Sequence, residues 1–105
     1  MDRDATYRAD ILSAIKQVEV YTAGLSSEMF LNDSLTHDAV IRQLQIVGEA
    51  SKRLSDKFKA TTPEVEWKKI AGMRDVLIHD YGIVDMKMVW KIVKDDLPAL
   101  KSALE

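Results

Sequence analysis

The segment R-D-V-L-I-H-D-Y-G, residues 74–82, carries the side chains best suited to acid–base chemistry on a phosphate. Arg74 supplies a fixed positive charge and a fork of donors that matches phosphate oxygens. His79 has an ordinary pKa of about 6.5, so its imidazole can exchange protons at neutral pH. Tyr81 adds a phenol two residues later. This combination suggests RNA cleavage, in which a base deprotonates the 2′-hydroxyl and the arginine stabilises the phosphorane that forms.

Each of these side chains also has an ordinary structural explanation. His79 could cap a helix C-terminus or lie buried with its hydrogen bonds satisfied, and Tyr81 could hydrogen-bond in the core. The guanidinium of Arg74 could form an ion pair with the carboxylate of Asp75, Asp80 or Glu49. Positions 74 and 79 are about 140° apart around an ideal helix, so they do not share a face. The length of the arginine side chain, or a helix that ends or kinks before His79, would still allow both groups to reach one phosphate.

Composition limits what the rest of the chain can do. The 105 residues suit one domain, residues 1–105, with 47% hydrophobic and 30% charged residues. There is no cysteine and there are only two histidines, so we expect neither a disulfide framework, nor a multi-histidine metal site, nor a cofactor. The net charge of −2 argues against a broad nucleic-acid surface, because such surfaces are usually basic. Any nucleic-acid contact must be local or be assembled when chains pair.

The N-terminal segment M-D-R-D-A-T-Y-R-A-D-I-L-S-A-I is polar and acidic at its start. It has neither the apolar run of a signal peptide nor the length of a membrane span. We therefore expect a cytoplasmic protein without membrane contact.

Apolar periodicity predicts helices nearly throughout. An apolar stripe at steps of four and three predicts a helix from about residue 4 to 24, ended by Gly24. A polar connection follows, and Thr36 is the expected cap of a second helix over roughly residues 37 to 59. Gly48 in the middle of that helix suggests a close helix–helix approach.

The C-terminal half reads as a short helix and a long one. Thr62 as N-cap with Pro63 as the first helical residue predicts a short helix, with a possible kink at Gly72. Asp85 is expected to cap a long C-terminal helix, which Pro98 should kink or weaken near Lys94. The predicted fold is an all-α antiparallel bundle of two long helices, a short broken helix and a long C-terminal helix.

Four apolar residues exceed what four small helices need for a core: Met88, Ile92, Trp67 and Trp90. They predict either a self-association face or additional core, and the sequence does not decide between the two.

Four blocks of sequence, in order, resemble the HepT-like toxins, members of the HEPN superfamily of all-helical ribonucleases. R-D-V-L-I-H-D-Y-G matches the R-x4-H-x-Y signature of that family. D-A-V-I-R-Q-L-Q-I-V-G-E-A-S-K-R-L resembles its glycine–glutamate–alanine helix. V-E-W-K-K-I-A-G-M-R-D resembles its approach to the motif, and V-D-M-K-M-V-W-K-I-V-K-D-D-L-P-A-L its C-terminal helix. The resemblance covers roughly residues 4 to 104.

This resemblance implies a metal-independent endoribonuclease toxin that leaves 2′,3′-cyclic phosphate ends. In such enzymes, arginine and histidine from both chains of a homodimer line one cleft, which assigns Arg74 to the phosphorane and His79 to proton transfer. The partner implied is an MntA-like nucleotidyltransferase antitoxin that transfers AMP from ATP to Tyr81. Added bulk and negative charge beside the cleft would hinder RNA binding. Higher oligomers built from dimers are compatible with this picture.

Three further residues are candidates for supporting roles. Glu49 matches the family's glycine–glutamate–alanine acid and is expected either to pair with Arg53 or to hold Arg74 or the dimer seam. Arg42 lies two turns before it on the same face. Asp80, if it faces His79, would favour the imidazolium and raise its pKa. His37, in the first turn of the second helix, is expected to be structural.

Two other classes of function fit the same residues. The chain could be a non-catalytic helical dimer that serves as a nucleotide- or protein-binding subunit. It could also be a plain scaffold in which Arg74 and His79 form structural ion pairs.

Overall fold

The fold is all-α, as predicted. The computed structural model describes residues 3–79 and 85–105, with side chains for 3–73 and 85–105. Within these ranges the chain is helical or in turns, and no strand is present. The helices are α1 (Arg3–Thr22), α2 (Ser27–Leu31), α3 (Ser34–Arg53), α4 (Asp56–Ala60), α5 (Trp67–His79), α6 (Met86–Lys91) and α7 (Leu97–Leu104), with a π-helical turn, Ile92–Asp96, between the last two.

The two 20-residue helices, α1 and α3, are antiparallel neighbours. The carboxylate of Asp4, in the first turn of α1, accepts hydrogen bonds from the backbone N–H and the hydroxyl of Ser55 at 2.8 and 2.6 Å. Ser55 follows the C-terminus of α3, so the start of α1 lies beside the end of α3. We call this end of the bundle, with α4, the α4 end. The opposite end, where α2 precedes α3, is the α2 end.

Helix α7 closes the bundle by packing on α1. The Arg8 guanidinium donates from Nε to the carbonyl of Leu104 at 2.6 Å. The end of α7 therefore lies near the start of α1, and α7 runs antiparallel to it. One contiguous apolar core results, to which α1, α3, α5, α6 and α7 all contribute.

The apolar stripe of α3 forms the centre of this core. Val40, Leu44 and Val47 are completely buried, and Gly48 is buried with them. α3 packs against α1 and against α5. The predicted close approach near Gly48 thus coincides with a fully buried stretch between two neighbouring helices.

Helix α2 was not predicted, since its segment was taken for a polar connection. The Ser26 hydroxyl accepts a hydrogen bond from the Met29 N–H at 3.1 Å and caps the helix, and Phe30 is completely buried. Five residues are too few for a periodic pattern to be visible, and the single buried ring is what fixes the turn.

The predicted cap at Thr36 is wrong, because Asp33 caps α3. The Asp33 carboxylate accepts from the Thr36 hydroxyl at 2.6 Å and from its N–H at 3.1 Å, which lowers the pKa of that carboxyl. The helix begins at Ser34. Thr36 contributes to the same capping interaction, but as donor.

The predicted second helix also ends earlier than expected. α3 stops at Arg53, Leu54 is extended, and Ser55 caps the separate short helix α4 by accepting from the Phe58 N–H at 3.0 Å. The apolar spacing of four between Leu54 and Phe58 continued across this break and concealed it.

Thr62 is not the N-cap of the next helix, and Pro63 is not its first residue. The Thr62 hydroxyl is buried, accepts from the Trp67 indole Nε1–H at 2.9 Å and donates to the Lys59 carbonyl at 3.3 Å. Residues 62–66 form a turn, and α5 begins at Trp67.

The C-terminal helix is capped and distorted as predicted. The Asp85 carboxylate accepts from the Lys87 N–H at 2.9 Å. The Leu97 N–H donates to Ile92, five residues earlier, and Pro98 has no N–H to give to Lys94. The result is the π-helical turn, after which α7 starts with its proline in the first turn.

Of the four apolar residues beyond the expected core, three belong to the core. Trp67 and Ile92 are each 8% exposed, and Trp90 packs its ring on Phe30 with centroids 4.9 Å apart. Met88 is 39% exposed. The additional-core explanation is confirmed for Trp67, Ile92 and Trp90.

Substitution by alanine should change the stability of the fold in opposite directions at Gly24 and Gly72. Gly72 is helical, and an added methyl group would meet no atom within 4 Å, so Gly72→Ala should stabilise the fold by about 1 kcal/mol. Gly24 has φ +76°, where alanine is strained, so Gly24→Ala should destabilise the fold by about 1 kcal/mol. Thermal unfolding of both variants measures this. Shifts of the same sign for both would contradict the assignment of a continuous helix at Gly72 and a left-handed turn at Gly24.

Candidate functional site

Helix α5 carries both residues predicted to do chemistry. Its backbone is helical from Trp67 to His79, so the predicted kink at Gly72 does not end the helix. Positions 74 and 79 therefore keep the helical separation of about 140° around the axis and about 7.5 Å along it. The side chains of Arg74 and His79 lie outside the described part of the structure, and so do Asp80 and Tyr81 entirely.

The position of α5 is fixed by its first two turns. Trp67, Ile70 and Met73 are buried at 8%, 5% and 7% exposure. Phe58 of α4 meets the Trp67 ring edge-on, with centroids 6.4 Å apart. Since α5 begins at the α4 end and packs along α3, it runs antiparallel to α3 toward the α2 end. Arg74 directly follows Met73 in this anchored helix.

Glu49 forms the ion pair with Arg53 that was one of its two expected roles. One carboxylate oxygen, Oε1, accepts from Arg53 Nε at 3.2 Å and from Nη2 at 3.1 Å. Hydrogen bonds to Glu49, which has the larger effect, and to Tyr7 raise the pKa of the Arg53 guanidinium. A role of Glu49 toward Arg74 or a dimer seam stays a prediction.

Arg42 and His37 differ in their surroundings. Arg42 is exposed on α3, and no hydrogen bond or ion pair joins it to any side chain within residues 3–73 and 85–105. The His37 Nε2 lies 2.6 Å from the Phe30 carbonyl, and the two rings are 4.9 Å apart. His37 is therefore structural, as predicted, because it fastens α2 to the first turn of α3.

A surface cleft of about 330 Å³ lies at the α4 end, between the start of α5 and α7. Its rim carries Glu64, Glu66 and Asp96, the last of which is 3.9 Å from Lys69. This predominantly acidic lining opposes a phosphate ligand, so the cleft is a poor candidate for the predicted chemistry.

Neither a metal cluster nor a membrane span emerges from the part of the chain that the structure describes. No three acidic or histidine side chains there are grouped to hold a metal ion. No helix there combines the length and hydropathy needed to cross a bilayer.

Sequence reasoning overlooked three lysines, Lys87, Lys91 and Lys94. They recur at steps of four and three, the spacing of one helix face, and all three are exposed. Their spacing is visible in the sequence, but the apolar stripe on the same helix is the stronger pattern.

Comparison with known proteins connects these features to a family. The profile of the family described as "Ribonuclease HepT-like" matches residues 11–105. "Probable ribonuclease HepT" of Thermococcus cleftensis is 48% identical over 99 residues, which cover 94% of this chain and 90% of that protein. "Putative RNase MJ1380" of Methanocaldococcus jannaschii is 40% identical over 96 residues, 91% of this chain and 88% of its own length.

No solved structure matches the chain. The family profile spans most of the chain, including α5 and the R-x4-H-x-Y segment, and the relatives align over nearly their whole length. The chain therefore belongs to the HepT-like ribonuclease family.

Proposed function

We propose that this protein is a metal-independent endoribonuclease whose reacting groups are Arg74 and His79. The observation that carries the proposal is the 48% identity to a protein named as a ribonuclease, over a stretch that includes both residues. The exposed acids at the α4 end and the net charge of −2 agree with a small local site rather than a broad RNA-binding surface.

The proposed reaction needs one proton acceptor, one proton donor and one fixed cation. His79 removes the proton of a 2′-hydroxyl, and the oxygen attacks the adjacent phosphorus. Arg74 stabilises the negative charge of the phosphorane. The bond to the 5′-oxygen then breaks, that oxygen takes a proton from a His79 imidazolium, and the products are a 2′,3′-cyclic phosphate and a 5′-hydroxyl.

A homodimer would resolve the geometric problem that α5 poses. Because the helix is continuous from Trp67 to His79, positions 74 and 79 of one chain lie on different sides of it. A two-fold axis beside α5 would bring the arginine of one chain toward the histidine of the other. We therefore propose a composite site in which each reaction uses groups from both chains.

Tyr81 is the proposed point of control. A nucleotidyltransferase antitoxin of the MntA kind would form a phosphodiester between the tyrosine oxygen and the AMP phosphorus of ATP, releasing pyrophosphate. The resulting AMP would add bulk and a negative charge two residues from His79, which disfavours an RNA phosphate there. In this proposal the protein is a toxin that modification silences.

Cleavage of RNA in the presence of a chelator tests the catalytic proposal. The unmodified protein should convert a mixed-sequence RNA into fragments with cyclic phosphate ends. His79→Ala should lower the rate by about 10²- to 10⁴-fold, because general acid–base catalysis contributes about that much.

The other histidine supplies the matched control for this assay. His37→Gln retains a donor for the Phe30 carbonyl and lies on α3, so it should cleave RNA near the wild-type rate. Equal cleavage by wild type and His79→Ala would refute the assignment. Absence of cleavage by unmodified wild type would instead favour a non-catalytic binding subunit.

Mixing two inactive variants tests the composite site. In a heterodimer of Arg74→Ala and His79→Ala chains, one intact arginine and one intact histidine come from different chains. If the site is shared, each heterodimer has one intact site of two, so an equimolar, randomly reassociated mixture should regain up to about a quarter of the wild-type activity, whereas a site within one chain would stay inactive. Activity is followed after mild unfolding and refolding of the mixture, with each variant refolded alone as the control.

Intact-mass measurement tests the modification. Incubation with ATP and the MntA-like enzyme should add AMP to wild type and stop RNA cleavage, and Tyr81→Phe should acquire no adduct. Tyr21 is 37% exposed on α1, so Tyr21→Phe is the control and should be modified like wild type. An adduct on Tyr81→Phe would contradict the assignment of the acceptor.

A further inference from the structure

The exposed side of α6 and the π-helical turn carries a row of positive charge. Lys87, Lys91 and Lys94 are all exposed and recur at helical spacing over about 10 Å of the axis. We call these three residues the α6 lysine face. It is conspicuous in a chain whose net charge is −2.

The carboxylates that flank this face in sequence are engaged elsewhere. Asp85 caps α6 by accepting from the backbone N–H of Lys87, and Asp96 lies 3.9 Å from Lys69 of α5. Only Asp95, exposed beside Lys94, remains without a partner within residues 3–73 and 85–105. These hydrogen bonds and contacts leave the carboxylate charges in place, but within the described ranges none of the three acids forms an ion pair with a lysine of the face. The three ammonium groups are therefore available to an external anion.

The same holds for the carboxylate on the neighbouring helix. Glu19 of α1 and Lys94 both line a cleft of about 230 Å³. The Glu19 carboxylate pairs with Lys101 of α7 at 3.0 Å, which raises the pKa of that lysine. No ion pair joins any of the three face lysines to a carboxylate in the described ranges.

An aromatic contact holds the end of the face in place. The Lys94 ammonium lies 4.6 Å from the centroid of the Trp90 ring. Trp90 in turn packs on Phe30, which is completely buried. A cation–π contact orders the lysine without neutralising its charge, so less side-chain entropy is lost when it binds an anion.

The α6 lysine face lies at the same end of the bundle as the C-terminal part of α5. α6 packs on α2, which defines the α2 end, and α5 runs toward that end along α3. Only five residues lie between His79 and Asp85, so their Cα atoms are at most about 22 Å apart.

From these observations we infer that the α6 lysine face binds the phosphate backbone of the RNA strand that flanks the cleavage site. The inference rests on the proposed function, because it assigns the ligand through the proximity of α5. Lysines contact phosphates as point charges and do not read bases, so the face contributes affinity without sequence preference.

Binding of 2′-O-methyl RNA tests the inference separately from cleavage. This RNA has no free 2′-hydroxyl and is not cut by the proposed reaction. The fluorescence anisotropy of a labelled 12-residue strand is measured from low to physiological salt. Replacing the face by Lys87→Gln, Lys91→Gln and Lys94→Gln together should weaken binding about tenfold or more. The slope of log affinity against log salt should shrink by about 2, which is 0.7 for each of three phosphate contacts.

The chain offers a control with the same change of charge. Lys52, Lys57 and Lys68 are exposed at the α4 end, and the corresponding triple glutamine variant should bind within about twofold of wild type. A triple arginine variant of the α6 lysine face should keep the wild-type affinity and slope, because it keeps the charge.

The possible results separate cleanly. Wild-type affinity in the α6 variant, an equal loss in the α4-end control, or no binding of wild type would each overturn the inference. Cleavage of unmodified RNA by wild type is scored in parallel. If the α6 variant alone loses binding and wild type does not cleave RNA, the α6 lysine face binds RNA but the proposed ribonuclease activity is refuted. If wild type cleaves RNA and the α6 variant binds as wild type does, the ribonuclease proposal stands and the inference about the face is refuted.

Discussion

The burial of α3 between α1 and α5 is the constraint on which the rest of the structure depends. Val40, Leu44 and Val47 expose no surface, and Gly48, which follows them, is also buried. Burying side chains of this size contributes about 1.5–3 kcal/mol each, so the contact is a large part of a marginal stability. Because α5 has only three turns and packs on α3, its direction is set by this contact. The location of residues 74 and 79 therefore follows from α3.

The long elements could be predicted from the sequence because their patterns are long. The stripes of α1 and α3 repeat over several turns, and Asp85 and Pro98 act through local backbone chemistry that does not depend on the neighbours. The short helices could not be predicted in the same way. α2 and α4 have five residues each, and each depends on a serine cap and on one aromatic ring that packs in the tertiary structure. An aromatic ring whose contacts are with residues distant in the sequence leaves no periodic pattern in its own segment.

Thr62 shows why a correct local rule can give a wrong result. Threonine before proline is a good helix start, but the same hydroxyl is also the acceptor that the buried indole of Trp67 needs. An unsatisfied buried N–H costs about 1–3 kcal/mol, which exceeds the typical contribution of about 1 kcal/mol from a cap. The tertiary hydrogen bond wins, and the helix begins four residues after Pro63. The candidate site differs, because residue types and family motifs predict Arg74, His79 and Tyr81, whose side chains lie outside the described part of the structure.

Under the proposed function, an acidic chain has to bind RNA through a local group of charges. Asp85 caps α6 and Glu19 pairs with Lys101, and no ion pair in the described ranges joins a carboxylate to a lysine of the α6 lysine face. The overall charge of −2 therefore leaves three exposed lysines open to an external anion. Under the proposed function, Tyr81 lies two residues after His79 and six before Lys87. One AMP group there would introduce negative charge between the reacting groups and the α6 lysine face. Electrostatic repulsion acts over about 8–10 Å at physiological salt, so a single modification would oppose both phosphate contacts at once. Control of this kind needs no conformational change, only a modified residue at the junction of two phosphate-binding segments.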